Sequence, residues 1–272
     1  GALAMIVYHW TGAAMATLWS SGNVGQGPGA IAWQLGDVNG DGRPELIQLW
    51  NDKGRLGMIV YHWSGRAMVT LWGSADVGQG SGAINWEVGD VDGDGRAELV
   101  QLWNDNGRLG MIVYHWNGNG MVTLWDSPNV GQGVGAVNWE IGDVNGDQRT
   151  ELIQLWNDNG RLGVIVYGWN GASMATLSTG DVKQGPGAVD WQIGDVNGDG
   201  FAEIFARTRS PRGAVWRPRT PRRFDIWWRL QARRSRRPKY TRIRPARPSC
   251  WPTSTSARSS RRPAGRSLSS RR

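Results

Sequence analysis

The chain has 272 residues, 39% of them hydrophobic and 20% charged, with a formal net charge of +8 that is split between two dissimilar parts. Residues 1–205 hold 9 Lys+Arg against 22 Asp+Glu, a balance of −13, whereas 206–272 hold 22 against 1, a balance of +21. The single cysteine, Cys250, lies in the basic part; this excludes a disulfide or thiolate metal site in the first part, and no apolar run approaches the ~20 residues of a membrane-spanning helix.

In chain order, the start GALAMIVYHW has neither a basic leader nor an apolar h-region. Residues 3–10 copy 56–63, so the sequence is expected to begin inside a repeat, with any export signal upstream. Strands are predicted at 5–10 and 15–19. The next full period is legible strand by strand. AINWEVGD (83–90) enters an acidic loop, and ELVQLW (98–103) leaves it. NDNG (104–107) is a hairpin signal, because Asn, Asp and Gly tolerate the positive φ of tight turns. MIVYHW (111–116) and MVTLW (121–125) follow, separated by NGNG. Four short antiparallel strands, apolar on both faces and without helical periodicity, describe a β-propeller blade. The expected fold is all-β, with three complete blades and two partial ones over 1–205. The first partial blade supplies its last two strands (5–10 and 15–19). The second supplies its first two (189–194 and 203 onward), so the incomplete ends are complementary.

The acidic loops carry the chemistry. DVNGDGRPE at 37–45 returns as DVDGDGRAE at 90–98, DVNGDQRTE at 143–151 and DVNGDGFAE at 195–203, at spacings of 53, 53 and 52 residues. Carboxylates crowded this closely repel unless a cation joins them. Side-chain oxygens at positions 1, 3, 5 and 9, with a backbone carbonyl at position 7, form a hard-oxygen set that suits Ca²⁺, and no Cys or His stands near to favour zinc. The ligands expected are Asp37, Asn39, Asp41, Glu45 and the Arg43 carbonyl in the first loop, and Asp90, Asp92, Asp94, Glu98 and the Arg96 carbonyl in the second. The third offers Asp143, Asn145, Asp147, Glu151 and the Arg149 carbonyl, and the fourth Asp195, Asn197, Asp199, Glu203 and the Phe201 carbonyl. Up to four Ca²⁺ ions are therefore expected. Two departures stand out: Asp92 adds a charge where the other loops have Asn, and Gln148 replaces the glycine at position 6, which weakens the case for the third site.

These loops, each between two predicted strands, resemble FG-GAP and VCBS repeats, the calcium-loop propeller blades also found in integrin α-subunit heads. The resemblance covers about residues 1–205. It implies an extracellular or cell-surface location, an adhesive role and rings of six to eight blades, of which this chain would be a fragment.

Tryptophans recur at 33, 86, 139 and 191, at 50, 103 and 156, at 63, 116 and 169, and at 72 and 125. Most are expected to pack between blades, with one set available to stack on sugar rings. His9, His62 and His115 share one place, which is Gly168 in the fourth copy, so they are not read as catalytic bases. The segments GQGPGA, GQGSGA, GQGVGA and KQGPGA lack the helix and lysine of a nucleotide loop. They are read as blade crossovers, with Gln26, Gln79, Gln132 and Gln184 at a ligand rim. No nucleophile motif appears and the loop carboxylates are committed to metal, so the chain is expected to have no catalytic residues and not to be an enzyme.

After Phe205 the composition turns to Arg, Pro and Ser, with 8 of the 12 prolines. Such a segment is expected to be disordered. Trp227, Trp228 and Tyr240 among arginines would suit nucleic acid, but the break falls within a strand, and 206–272 is read as the product of off-frame translation. The function expected is that of a secreted calcium-binding propeller that holds an extracellular glycan or protein, without nucleic acid or a membrane span. The alternatives are an accessory propeller of a larger secreted hydrolase and a spacer without ligand.

Overall fold

A computed structural model describes residues 1–182, 185 and 187–208. The chain divides at residue 214 into two units. All described residues belong to the first, and the expected disordered tail lies, from residue 209 on, outside them. No helix among the described residues is long and apolar enough to cross a membrane.

The described residues form an all-β fold of sixteen strands. The chain opens on β1 (Met5–Trp10) and β2 (Met15–Ser21), a two-stranded sheet. Three four-stranded antiparallel sheets follow: β3 (Ala32–Gly36), β4 (Glu45–Asp52), β5 (Arg55–Trp63) and β6 (Met68–Ser74); β7 (Asn85–Gly89), β8 (Glu98–Asp105), β9 (Arg108–Trp116) and β10 (Met121–Ser127); β11 (Asn138–Gly142), β12 (Glu151–Asp158), β13 (Arg161–Trp169) and β14 (Met174–Asp181). A second two-stranded sheet, β15 (Ala188–Gly194) with β16 (Glu203–Thr208), ends the unit. The first strands lie side by side in sequence order, β3 by β7, β7 by β11 and β11 by β15. This is the arrangement of propeller blades around an axis.

The second strand of each blade runs further than its apolar residues suggest. Asp105 pairs with Arg108 across Asn106 and Gly107, whose φ values of 52° and 88° fit a two-residue type I′ turn, so Asn104 and Asp105 are strand residues. The core lies between sheets. Ile47, Leu49, Met58 and Val60 of one blade cluster with Trp86, Leu99, Ile112 and Tyr114 of the next, which is why these strands are apolar on both faces.

A buried glutamine ties each blade to its crossover. Gln101 Oε1 accepts the Tyr114 hydroxyl (2.7 Å), while Nε2 donates to the carbonyls of Gly80 (3.1 Å) and Gly82 (2.7 Å). Gln48 with Tyr61, and Gln154 with Tyr167, repeat the arrangement. The tryptophans also pack: Trp19 meets Trp63, and Trp72 meets Trp116, edge to face with ring centroids 6.4 Å apart.

β16 continues past the change of composition at Phe205 as far as Thr208, with Ala206 opposite Trp191 and Arg207 opposite Asp190. Backbone pairing is indifferent to the side chains that follow the break. The two half blades, β1–β2 and β15–β16, remain separate sheets; the chain does not join them into a fourth complete blade.

Candidate metal centre

Each acidic loop connects the first two strands of a blade or half blade, and one backbone pattern recurs in all four. The first aspartate accepts amide hydrogens from across the turn. Asp90 Oδ1 takes that of Gly93 (2.7 Å) and Oδ2 that of Gly95 (3.0 Å), and Asp37, Asp143 and Asp195 make the equivalent pairs. In the fourth loop these bonds, that of Gly200 foremost, hold the Asp195 carboxyl below the usual carboxylate range. The residue at position 5 turns to position 7, as Asp41 Oδ1 accepts from Arg43 N (2.9 Å). The ninth residue, first of the second strand, is buried: Glu45, Glu98 and Glu151 are each about 1% exposed, and Glu98 Oε2 accepts from Val91 N (2.9 Å).

Position 3 separates the second loop from the rest. Asn39, Asn145 and Asn197 each donate Nδ2 to the glutamate's Oε1, at 2.9, 2.7 and 2.6 Å. Asp92 has no such proton to give. In the second loop, oxygens of Asp90, Asp92 and Glu98 lie within 4.8 Å of one another, and this group could hold a metal ion. Burial, followed by the charge of Asp92, pushes the Glu98 carboxyl up to about 8. A cation would supply the attraction that the asparagine amide supplies elsewhere. The cluster is tighter than the five-residue set expected from the sequence. Asp94 is instead paired with Arg96 Nε at 3.2 Å.

The side chains at position 7 have a structural task. A Cβ on Gly40 would meet Arg96 Cγ at 2.9 Å, and one on Gly93 would meet Arg149 Nε at 2.8 Å, so each arginine lies across the loop of the preceding blade. Backbone bonds link the same loops: Ala97 N to Asp37 O (2.8 Å), Thr150 N to Asp90 O (2.7 Å) and Ala202 N to Asp143 O (2.7 Å). Gln148 is accommodated at φ 71°, close to the 83° of Gly42 and 85° of Gly95, and its amide still reaches Asp143 Oδ2 at 2.8 Å. The third loop thus keeps its shape, at a conformational cost of about 1 kcal/mol.

A second group of carboxylates was not read from the sequence as a site. Glu87 of β7 and Glu140 of β11 sit on neighbouring first strands and repel each other. Asn85 Nδ2 donates to Glu87 (2.6 Å) and Asn138 Nδ2 to Glu140 (2.5 Å). Burial pushes the Glu87 carboxyl up to about 7, and that of Glu140 upward as well. The signal was present in the alternation of N-W-E, which puts Asn and Glu on the face opposite the tryptophan. Of the crossover glutamines expected at a rim, Gln79 lines a shallow hollow with Arg55 and Asp76, which form an ion pair. Gln184 lies outside the described residues.

No protein-family model matches the chain, and no curated protein does. Among solved structures it is similar to the rhamnogalacturonan lyase YesW, at 22% identity and TM-score 0.46, over 66% of this chain and 40% of that one. It is similar also to a rhamnogalacturonan lyase of Bacillus licheniformis, at 20% identity and TM-score 0.45, with the same coverage. The chain thus spans 40% of the length of these solved chains. The expectation that the chain is not an enzyme is not upheld: both solved chains are lyases by name, and a likeness of this degree says nothing of this chain's own activity.

Proposed function

We propose that the protein is a calcium-binding β-propeller of the FG-GAP and VCBS kind, exported from the cell, whose acidic loops fasten the blades and whose surface holds an extracellular glycan or protein. The observation that carries the reading is the Asp90, Asp92 and Glu98 cluster, a set of hard oxygens with no internal donor at position 3. Loops 1, 3 and 4 bind the same ion more weakly, because asparagine brings no charge to position 3. Oxygen-only ligands in a flexible loop favour Ca²⁺ over Mg²⁺, which keeps more of its water. An extracellular module meets calcium at about 10⁻³ M, the range in which such loops bind. Near-identical blades offer equivalent contact points, and several weak contacts on one body give avidity.

Equilibrium dialysis of the full chain against ⁴⁵Ca²⁺ tests the ion. Binding that falls on Asp92→Asn supports the proposal, and no retained calcium refutes it. A glycan array read with calcium and with chelator tests the ligand class; the absence of any calcium-dependent signal turns the reading toward a protein ligand.

A further inference from the structure

We propose that Glu87 works as a proton-operated latch between the blade of β7–β10 and the blade of β11–β14: its protonated carboxyl donates to the backbone carbonyl of Trp139, and loss of that proton loosens the junction.

The preceding junction supplies the geometry. Gln34 Nε2 of β3 donates to the Trp86 carbonyl of β7 at 3.0 Å, a side-chain bond from one blade to the next. Gly36, two residues on and therefore on the same side of the strand, also faces the next blade, since a Cβ there would meet Val88 and Ala97. Glu87 and Gly89 repeat this pair one blade later, where a Cβ on Gly89 would meet Ile141 and Thr150. Glu87 thus stands on the face of β7 turned to β11, as Gln34 stands on the face of β3 turned to β7, and the Trp139 carbonyl takes the place of the Trp86 carbonyl. The two junctions differ in one chemical group. An amide always has hydrogens to give, whereas a carboxyl has one only when protonated. A carboxylate in this place sets a charged oxygen against a carbonyl oxygen.

The surroundings of Glu87 fit this role. Asn85 Nδ2 donates to Oε1 at 2.6 Å, which fixes the carboxyl and leaves Oε2 for the neighbouring blade; Ala32 has the corresponding place beside Gln34. Of the strands packed against β7, β3 brings no ionisable group, and β8 has Glu98 opposite Gly89 at one end and Asp105 opposite Arg108 at the other. β11 brings Glu140, whose charge repels one on Glu87. Burial first, and Glu140 second, outweigh the Asn85 bond and hold the Glu87 carboxyl at about 7, so the latch changes state near neutral pH. Glu140 repeats the arrangement one junction on, with Asn138 Nδ2 on its Oε1 at 2.5 Å and Asp190 of β15 raising it after burial.

The junction that Glu87 closes is also held by the bond from Thr150 N to Asp90 O (2.7 Å). The folded-state value of Glu87 lies above the ordinary 4.5, so its contribution to closure is complete below about 4.5 and is lost as pH rises through about 7.

Amide-resolved hydrogen exchange of the full chain in chelator, corrected for the intrinsic pH dependence of exchange, is the test. The Thr150 amide should open roughly tenfold more often at about pH 8.5 than at about pH 5.5, the effect of one hydrogen bond exchanged for a repulsion. Glu87→Gln, which copies the Gln34 arrangement, should abolish most of that change. The pair Ala32→Asn and Gln34→Glu copies the Glu87 arrangement, and should install the same pH dependence where Ala97 N donates to Asp37 O. These results support the proposal. A Thr150 amide indifferent to pH, a change that survives in Glu87→Gln, or an Ala97 amide indifferent to pH in the paired variant overturns it.

Discussion

Asp92 faces Glu98 with no amide donor between them, in the one loop of four where position 3 is not asparagine. In the first loop the corresponding distance, from Asn39 Nδ2 to Glu45 Oε1, is a 2.9 Å hydrogen bond. One atom, an amide nitrogen replaced by a carboxylate oxygen, thus separates a loop that closes on itself from one that calls for an external positive charge.

Asp92→Asn is expected to act in opposite directions with and without calcium. In chelator it restores the amide bond to Glu98 and stabilises the unit by about 1 to 2 kcal/mol, a rise in midpoint of roughly 2 to 8 °C for a unit of this size. With calcium present the variant gains less than the parent chain does. Melting both proteins under both conditions measures the crossing, and a variant that melts below the parent in chelator contradicts the assignment of Asp92.

Gln148 occupies a left-handed backbone position that glycine holds in the other loops, at φ 71°. Gln148→Gly should raise stability by about 1 kcal/mol, read as a higher denaturant midpoint with an unchanged slope. A lower midpoint would show that the glutamine side chain makes a contact outweighing the backbone strain.

Gln101 joins Tyr114 to two crossover carbonyls inside the core. Gln101→Ala removes three hydrogen bonds and leaves the buried hydroxyl without its acceptor, at a cost of about 2 to 4 kcal/mol. Tyr114→Phe should cost less than Gln101→Ala, since the crossover bonds survive. Equilibrium unfolding of the two variants ranks them.

Glu87 gives the unit a pH dependence of known sign. Its carboxyl is raised by burial, first, and by the charge of Glu140 to about 7, while the unfolded chain titrates near the ordinary value of 4.5. Between these values the folded state holds the extra proton, so the contribution of Glu87 to stability falls as pH rises from about 4.5 through 7 and levels off above, while Glu98, raised to about 8, extends the fall. Glu87→Gln should flatten that fall in melts recorded in chelator. An unchanged slope would place the titration elsewhere.

The blades were legible in the sequence because each strand is written three or four times and the turns between them use residues with distinct backbone preferences. Asn106-Gly107 marks its hairpin without ambiguity. The strand ends were not legible, since Asn104 and Asp105 read as turn residues and are held in the ladder by Leu109 and Arg108. The loop residues were also legible, but not the partition between them. That Asp94 turns to Arg96, while Asp90, Asp92 and Glu98 converge, follows from how β8 buries Glu98, which only packing decides. The side chains at position 7 were read for their carbonyls alone. Their reach across the preceding loop depends on the juxtaposition of blades, which local spacing does not encode. Glu87 and Glu140 went unread as a pair for the same reason: they lie on different blades.

The most direct test of the calcium reading is the melting midpoint of the full chain at about 10 mM Ca²⁺ against the same buffer with chelator. Loops that bind at about 10⁻⁴ to 10⁻³ M would each add roughly 1.4 to 2.7 kcal/mol at that concentration, so the calcium curve should lie clearly higher, with the gap reduced in Asp92→Asn. Superimposed curves in the parent protein would contradict it.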